Sequence, residues 1–373
     1  MLLTVEPLSG QSAPPPPNPV LGERWTFAAG TVLVQAKVIT DSLATPSGML
    51  FLPDGRILAT NRSAGSLVLV DTATGARTTV EGLPDIYHVG DAGTLDVALH
   101  PRYRDNGFLY ILYSIDLPGG SMPVVDRATL SGRTLANRTR IYEARPVIEN
   151  GHHHGGRLVF HDGFLFVGIG DHNARDLGQY PGDPYGKILR LRDDGTPAPG
   201  NPFAGREDAA TEIWSLGHRN PQGLAIDVRT GMLWAHEHGP RGGDEINIIQ
   251  GGRNYGWPIV THGEEYYRQP IGKGLRQRPG MEDPVHVFTP TVAPSGMLFY
   301  TGDAFPAWRN SLFIGGMAAR SLIRFDVNGR QVSNEERLLT DKRWRVRNVI
   351  QGPDGFLYLG VDGGGIIRLS PRP

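Results

Sequence analysis

The chain of 373 residues carries 37 Lys and Arg against 38 Asp and Glu, and this balanced charge argues against nucleic acid as a ligand. Its 50 Gly and 30 Pro residues exceed their usual share and indicate many tight turns between short elements, which favours an all-β architecture. The absence of Cys excludes disulfides, Cys-ligated metal sites and a thiol nucleophile.

Residues 1–24 are predicted to be a tail that precedes a single folded domain, residues 25–373. Within the tail, residues 10–19 (GQSAPPPPNP) form a Pro-rich spacer typical of an extended linker. The first residues lack the basic and apolar regions of a signal peptide. The protein is therefore either cytoplasmic or has had its signal peptide removed. We expect the second case, a periplasmic or secreted protein. No stretch approaches the roughly 20 apolar residues that span a bilayer.

One pattern occurs six times between Pro46 and Asp362: a turn of small residues, an alternating apolar run, a Gly-containing turn and a second apolar run. The turns lie at Asp54-Gly55, Asn106-Gly107, Asp162-Gly163, Thr230-Gly231 and Asp354-Gly355, with a looser turn in the fifth copy. Six such hairpins predict an all-β, six-bladed β-propeller with four-stranded antiparallel blades and almost no helix. Residues 25–41 and the C-terminal GGIIRLS are expected to close the ring. A pair of β-sandwiches is the alternative.

Three consecutive histidines, His152, His153 and His154, immediately precede the third copy, and its second strand leads to Asp171. Neighbouring side chains of an extended segment point to opposite faces, so the three imidazoles cannot easily share one metal ion. One histidine acting as a general base, oriented by Asp171, is the more economical interpretation. A solvated loop and a turn-capping Asp are the alternatives.

The GHRNPQG motif places Arg219 and Asn220 just before the fourth copy. A guanidinium beside an amide can bind a carboxylate or carbonyl oxygen, whereas Asn220 followed by Pro is equally typical of a plain turn.

The segment from Glu237 to Pro258 is rich in Gly and carries Asp244 and Glu245. Free backbone carbonyls and hard carboxylate oxygens favour Ca²⁺, although the spacing is not that of an EF-hand. His236 and His238, two residues apart, offer a zinc site as the alternative.

Arg345 and Arg347 lie in phase at the start of the sixth copy. Two guanidinium groups directed at one place predict an anionic ligand, because without one they repel each other. The alternative is a solvated edge strand.

Several motifs together are similar to those of one enzyme family. The most specific are GGRLVF, GHRNPQG, EHGPRGGDEIN followed by NYGWP, PSGMLFY, and the two arginines before the GPDG turn. From Val32 to Ser370 the chain resembles the soluble quinoprotein sugar dehydrogenases, which use pyrroloquinoline quinone (PQQ), and among them the aldose sugar dehydrogenases. The resemblance implies a six-bladed propeller with the quinone across the channel mouth, a Ca²⁺ ion on the quinone, and oxidation of an aldose at the anomeric carbon to the lactone.

The resemblance also implies a role for each matching residue. It makes His153 the catalytic base and Asp171 its partner, and it places Arg219 beside the reactive quinone carbonyl. Other positions are implied as cofactor ligands: Asn220 at the same carbonyl, Arg345 and Arg347 at the quinone carboxylates, and the main-chain carbonyls of Gly239 and Pro240 at the quinone-bound Ca²⁺. A second, structural Ca²⁺ would involve Glu245 and Tyr255.

Two positions near the cofactor depart from the family pattern. Asp91 occupies the place of a Gln, and Ala318 the place of a Lys that contacts the quinone. Arg320, two residues after Ala318, is expected to project to the same side and to replace that Lys in part. Asp91 is expected to repel an anionic quinone unless it binds a metal ion.

Three functional hypotheses follow. The leading one is a PQQ-dependent aldose dehydrogenase that passes electrons to an external acceptor. The others are a calcium-dependent propeller hydrolase acting on lactones or esters, and a non-catalytic propeller that binds a carbohydrate or a protein. A monomer or a homodimer is expected.

Overall fold

The N-terminal part of the chain joins the propeller instead of standing apart from it. The computed structural model describes residues 17–149 and 151–372, so most of the predicted tail, residues 1–16, lies outside the described residues. The main-chain carbonyl of Pro17 accepts a hydrogen bond of 3.0 Å from Trp344 Nε1. The first strands, β1 (Arg24–Ala29) and β2 (Val32–Thr40), follow directly.

Strands β3 to β22 form five four-stranded antiparallel sheets, which we number as blades in chain order. Blade 1 contains β3 (Met49–Phe51), β4 (Ile57–Asn61), β5 (Ser66–Val70) and β6 (Arg77–Thr79). Blade 2 contains β7 (Thr94–Leu99), β8 (Phe108–Leu117), β9 (Gly120–Ser131) and β10 (Thr134–Glu143). Blade 3 contains β11 (Gly155–His161), β12 (Phe164–Ile169), β13 (Lys187–Leu191) and β14 (Ile213–Leu216).

Blade 4 contains β15 (Pro221–Asp227), β16 (Met232–Glu237), β17 (Asp244–Ile249) and β18 (His286–Phe288). Blade 5 contains β19 (Pro294–Phe299), β20 (Leu312–Gly316), β21 (Ser321–Asn328) and β22 (Gln331–Leu338). Blade 6 combines β23 (Val346–Gln351), β24 (Leu357–Val361) and β25 (Gly365–Pro371) with β2 and β1, so it has five strands.

The predicted closure of the ring is confirmed. Strand β2 pairs antiparallel with β25, with Ala36 opposite Leu369, and thereby joins the two ends of the described chain in one blade. The first strands of the six blades contact one another in sequence around the channel, and β23 contacts β3. One cluster of buried apolar side chains fills each interface between neighbouring blades. The protein is therefore a six-bladed β-propeller.

Helix is scarce, as predicted. The described residues contain one α-helix, Tyr103–Asn106, and three 3₁₀ helices, Arg62–Ala64, Arg175–Gly178 and Pro306–Trp308. The helix replaces the tight turn expected at Asn106-Gly107, and Gly107 caps it with a φ of 66°. None of the helices in residues 17–149 and 151–372 has the length and apolarity needed to cross a membrane.

A β-bulge lies near the start of the first strand in five of the six blades. The extra residue re-aims the side chains that follow it, which brings polar groups of several blades to the channel axis. The buried guanidinium of Arg157 donates to Ser47 O at 2.5 Å, to Gln222 O at 2.5 Å and to Ser295 Oγ at 3.3 Å. Arg157 thus ties blades 1, 4 and 5 to its own blade 3 below one mouth of the channel.

Candidate active site

The loops that enter the first strands of blades 2 to 5 meet at one mouth of the channel and enclose a cavity of about 500 Å³. The cavity is lined mainly by polar and charged side chains: Asp91, His152, His153, Asn173, Arg175, Arg219, Asn220, His238, Asp244, Tyr266 and Thr291, together with Gly239, Pro240 and Ala293. Four of the predicted catalytic and cofactor residues (Asp91, His153, Arg219 and Asn220) and three of the predicted calcium ligands (Gly239, Pro240 and Asp244) therefore line one cavity. Its size is that of a small-molecule site.

His153, which lines this cavity, forms a hydrogen-bonded dyad with Asp171 behind it. His153 Nδ1 lies 2.7 Å from Asp171 Oδ1, and Asp171 is fully buried. Trp257 Nε1 donates to Asp171 Oδ2 at 2.7 Å, and Asn173 N donates to Oδ1 at 2.8 Å. With Nδ1 engaged, Nε2 is the ring nitrogen of His153 that remains to act on a substrate. Asp171 is thus built to fix the tautomer and orientation of His153.

The backbone around the dyad depends on glycine. His153 has a φ of 52°, and the Cβ of any residue at position 170 would lie 2.0 Å from the His153 carbonyl oxygen. Only Gly170 therefore permits the close approach of the two segments that carry His153 and Asp171. The sequence motif GIGD marks this contact.

The other histidines of the triplet have different surroundings. His152 is 61% exposed at the cavity rim. His154 is completely buried, with Nδ1 at 2.9 Å from Ser114 Oγ and 3.2 Å from His172 Nε2. Burial lowers the pKa of His154 well below its ordinary value and that of His172 to about 4. Both are neutral near pH 7 and pack behind the dyad as structural groups.

Arg219 and Asn220 face the same cavity from blade 4. Arg219 Nη1 donates to the carbonyl oxygens of His238 at 3.0 Å and Gly239 at 2.8 Å, while its Nε is buried without a partner among the described residues. Asn220 Oδ1 accepts from Gly155 N at 3.1 Å. No hydrogen bond within residues 17–149 and 151–372 occupies Asn220 Nδ2, which leaves this donor for a ligand.

Behind Arg219 lies a buried chain of hydrogen-bonded side chains: Ser215, His218 and Glu237. Ser215 Oγ is 2.9 Å from His218 Nε2, His218 Nδ1 is 3.0 Å from Glu237 Oε1, and Glu237 Oε2 accepts from Arg219 N at 2.5 Å. The residue types are those of a hydrolase triad, but Ser215 is fully buried and does not line the cavity. This hydrogen-bonded chain holds the backbone of the loop that carries Arg219.

Asp244, a predicted calcium ligand, makes hydrogen bonds to two loops. Its Oδ1 accepts from Gly239 N at 2.9 Å, and its Oδ2 accepts from Thr291 Oγ1, Val292 N and Ala293 N at 2.5 to 2.8 Å. Four hydrogen bonds engage this carboxylate, so Asp244 fastens two loops together, and Oδ1, which accepts a single hydrogen bond, is the oxygen that keeps a lone pair for a metal ion.

Glu245 and Tyr255 lie beside a separate small cavity of about 10 Å³, which Glu282 and Asp283 also line. Burial, with the nearby Glu237 carboxylate, raises the pKa of Glu245 to about 8. Such a carboxylate gains from a cation. No group of three or more His, Asp or Glu suited to a metal ion occurs in the described part of the chain, so main-chain oxygens would have to complete any site here. His236 Nε2 donates to Gly296 O at 3.0 Å and His238 Nε2 donates to Pro294 O at 2.9 Å, so main-chain carbonyls engage both imidazoles of the alternative zinc site.

Arg345 and Arg347 point to the same place, as predicted, but they share an internal counterion that the sequence analysis missed. Asp362 Oδ2 accepts from Arg345 Nε at 3.1 Å and from Arg347 Nη2 at 2.7 Å. A third guanidinium, Arg62, lies close enough that burial and Arg347 lower its pKa to about 10. The sequence did contain a signal for this counterion. Asp362 follows the second strand of its hairpin in the motif GVD, just as Asp171 follows the second strand of its hairpin in the motif GIGD.

The two departures from the family pattern lie near this charge cluster. Asp91 Oδ2 accepts a hydrogen bond from His153 N at 3.3 Å. Burial by itself raises the pKa of Asp91, but the positive charge of Arg62 and this hydrogen bond have a larger combined effect, so the pKa is lowered. Residues 317–320 form a turn, so the strand alternation assumed for Arg320 does not apply. Arg320 Nη1 donates instead to Arg343 O at 3.1 Å, and Ala318 is exposed.

A six-bladed propeller with a His–Asp dyad and an Arg–Asn pair in its axial cavity has the architecture of a propeller enzyme of the quinoprotein type. The family model "Glucose / Sorbosone dehydrogenase" matches residues 43–368, and the chain belongs to this family. It is 38% identical to the aldose sugar dehydrogenase YliI of Escherichia coli (strain K12) over 352 residues, which cover 92% of this chain and 95% of that protein.

Solved structures agree. The apo-form soluble aldose sugar dehydrogenase of Escherichia coli matches with a TM-score of 0.87 over 91% of this chain and all of that one, at 38% identity. The PQQ-bound aldose sugar dehydrogenase of Streptomyces coelicolor matches with a TM-score of 0.74 over 96% of this chain and all of that one, at 28% identity. The family confirms the resemblance found in the sequence and makes the protein a sugar dehydrogenase, an oxidoreductase.

Proposed function

We propose that the protein oxidises aldose sugars at the anomeric carbon to the lactone, with PQQ and Ca²⁺ as cofactors. The observation that carries this proposal is the His153–Asp171 dyad, which faces the same 500 Å³ cavity as Arg219 and Asn220. A polar cavity with one oriented base and a guanidinium–amide pair suits proton abstraction from a hydroxyl group beside a bound electron acceptor.

The residues present fit the quinone. PQQ carries carboxylates. In the described part of the chain, three guanidiniums (Arg62, Arg345 and Arg347) lie near two carboxylates (Asp91 and Asp362), and this excess of positive charge favours an anionic ligand. The partnerless Arg219 Nε and the donor of Asn220 supply hydrogen bonds for a carbonyl oxygen. The carbonyls of Gly239 and Pro240 would hold Ca²⁺ at the quinone, and Glu245 with Tyr255 would hold a structural Ca²⁺.

When bound, PQQ supplies an acceptor for the hydride of the anomeric C–H, and an external electron acceptor reoxidises it. The chain supplies the proton chemistry. His153 Nε2 takes the proton of the anomeric hydroxyl, and Asp171, 2.7 Å from Nδ1, stabilises the imidazolium that forms. Trp257 and Asn173 hold Asp171 in place. Arg219 stabilises the negative charge that develops on the substrate oxygen.

Replacement of His153 by Ala tests the proposal. In apoprotein reconstituted with PQQ and Ca²⁺, dye reduction with aldoses is expected to fall by about 10²- to 10⁴-fold, because a general base is lost. PQQ affinity, measured by fluorescence titration, should stay the same. His161→Ala is the matched control, since His161 lies at the far end of the same strand, outside the cavity.

Lactone formation is measured separately by trapping the product with hydroxylamine. If the wild-type protein fails to bind PQQ at micromolar concentration with Ca²⁺ present, the dehydrogenase proposal is wrong. A calcium-dependent hydrolase acting on lactones or esters would then be the better hypothesis for the same cavity.

We infer also that the enzyme is periplasmic or secreted and acts as a monomer or homodimer with residues 25–373 as one domain. Cell fractionation and sedimentation equilibrium test these points.

A further inference from the structure

Asp91 presents a carboxylate to the active-site cavity beside the base of the dyad. It lines the cavity, and 39% of its side chain is exposed. Its Oδ2 accepts a hydrogen bond of 3.3 Å from His153 N, whereas no hydrogen bond within residues 17–149 and 151–372 engages Oδ1. Its closest ion-pair partner among those residues is His152 Nδ1, 3.9 Å from Oδ2. Asp91 therefore keeps an acceptor oxygen for a ligand.

The backbone holds this carboxylate in place. Asp91 N donates to Gly151 O at 2.8 Å, and Asp91 O accepts from Arg62 Nη1 at 3.2 Å. Gly90 has a φ of 63°, and a Cβ at its position would lie 2.5 Å from Gly151 O. The segment that carries Asp91 thus packs directly against the segment that leads to His153, and this contact requires glycine at position 90.

His153 is flanked by negative charge on two sides. Asp91 accepts from its main-chain N–H, and the buried Asp171 lies 2.7 Å from its Nδ1. Although burial raises the pKa of Asp91, Arg62 and the hydrogen bond from His153 lower it, so the carboxylate is charged at neutral pH. A cation bound beside His153 would be stabilised by this charge, because an ion pair is strong in a cavity that is partly shielded from water.

The other charged groups of the cavity have partners within the chain. Arg175 binds the Glu265 carboxylate through both of its terminal nitrogens. Arg219 Nη1 donates to two main-chain carbonyls, and Asp244 accepts four hydrogen bonds. In the part of the chain that the structure describes, Asp91 is thus the lining carboxylate that has an oxygen without a hydrogen bond.

We infer that Asp91 is a specificity-determining residue that binds the ammonium group of 2-amino aldoses. This inference rests on the proposed function, because C2 is bonded to the anomeric carbon and its substituent lies next to the hydroxyl that His153 deprotonates. The carboxylate beside His153 is therefore within reach of that substituent. A hydrogen bond from an ammonium group to a carboxylate is stronger than one from the hydroxyl group of a neutral aldose. The substrate class is accordingly amino sugars in addition to neutral aldoses.

The test compares glucosamine, glucose and N-acetylglucosamine in the holoenzyme at saturating PQQ and Ca²⁺. The wild-type protein should have a higher kcat/KM for glucosamine than for glucose. Asp91→Asn is expected to lower this ratio by about ten- to a hundredfold, the effect of losing one charge-assisted hydrogen bond. The ratio of N-acetylglucosamine to glucose should not fall, because the acetylated nitrogen carries no charge. Asp85→Asn removes an exposed carboxylate of the same loop outside the cavity and should retain both wild-type ratios.

An unchanged glucosamine-to-glucose ratio in Asp91→Asn, or an equal fall in Asp85→Asn, would overturn the inference while the proposed function stands. A wild-type preference for glucose over glucosamine would also overturn it. If the holoenzyme oxidises no sugar, the proposed function fails, and the inference is decided by binding. Saturation-transfer NMR should then show that glucosamine binds the wild-type apoprotein and Asp85→Asn but not Asp91→Asn. Absence of binding to the wild-type protein refutes the ammonium site. Unchanged melting temperatures confirm that the variants fold.

Discussion

The buried histidine next to the dyad makes the stability of the protein sensitive to acid. His172 is fully buried, and its Nε2 lies 3.2 Å from His154 Nδ1. Burial lowers the pKa of His172 from 6.5 to about 4. Because the unfolded chain binds this proton more readily, the stability contributed by neutral His172 is complete above pH 6.5 and is lost as the pH falls towards 4.

The size of the effect follows from the two pKa values. A difference of about 2.5 units corresponds to about 3.4 kcal/mol when the pH is well below 4. Between pH 8 and pH 5 the loss from His172 is about 2 kcal/mol, since at pH 5 the unfolded histidine is almost fully protonated and the folded one almost fully neutral. His154, whose pKa burial also lowers, adds to the total loss of the wild-type protein.

His172→Gln isolates this contribution, because glutamine can donate to His154 but does not titrate. Urea unfolding of the apoprotein at pH 8 and pH 5 measures the free energy of unfolding. The wild-type protein should lose about 2 kcal/mol more than His172→Gln over this interval. His88→Gln, which removes an exposed histidine, is the control and should lose as much as the wild type. Equal losses in the wild type and His172→Gln would refute the reasoning.

Three further predictions concern the site. Asp171→Asn should lower turnover by on the order of 10²- to 10⁴-fold with unchanged PQQ affinity, because an amide cannot stabilise the imidazolium; retained turnover would contradict the role of the dyad. Ala318→Lys should strengthen PQQ binding about ten- to a hundredfold in fluorescence titrations. Arg320→Ala should leave PQQ binding unchanged, because Arg320 donates to Arg343 O. Weaker binding by Arg320→Ala would show that this arginine contacts the quinone. Ca²⁺ should raise the melting temperature, and Glu245→Gln should diminish that rise; an unchanged melting temperature after chelation and Ca²⁺ re-addition would exclude the structural calcium.

The fold was largely readable from the sequence because its determinants are local. Alternation of apolar residues with a period of two and Gly-containing turns recur six times, and each copy became the first two strands of one blade. Asp162-Gly163 forms the tight hairpin that its composition predicts, with His161 paired to Phe164. Asn106-Gly107 does not form a tight hairpin turn, because Tyr103–Asn106 form a helical turn that ends at Gly107.

The candidate site was readable only in part. The sequence marked the histidine triplet and Asp171, but alternation alone left open which imidazole enters the cavity. The fold decided it through the positive φ of His153 and through partners far along the chain: Trp257, which holds Asp171, is 86 residues away from it. Asp362 likewise appeared as the counterion of Arg345 and Arg347 only when blade 6 was assembled.

What the sequence by itself determined was therefore the hairpin unit, its number of copies and the residue types gathered near the strand entries, since all of these depend on neighbours in the chain. Tertiary structure alone decided which of those residues meet. Bulges at the start of five first strands shift the alternation of side chains, and loops of blades 2 to 5 meet at one mouth of the channel. Both effects depend on contacts between distant segments: they set Arg157 across four blades and Tyr266 over the cavity, and no local pattern records them.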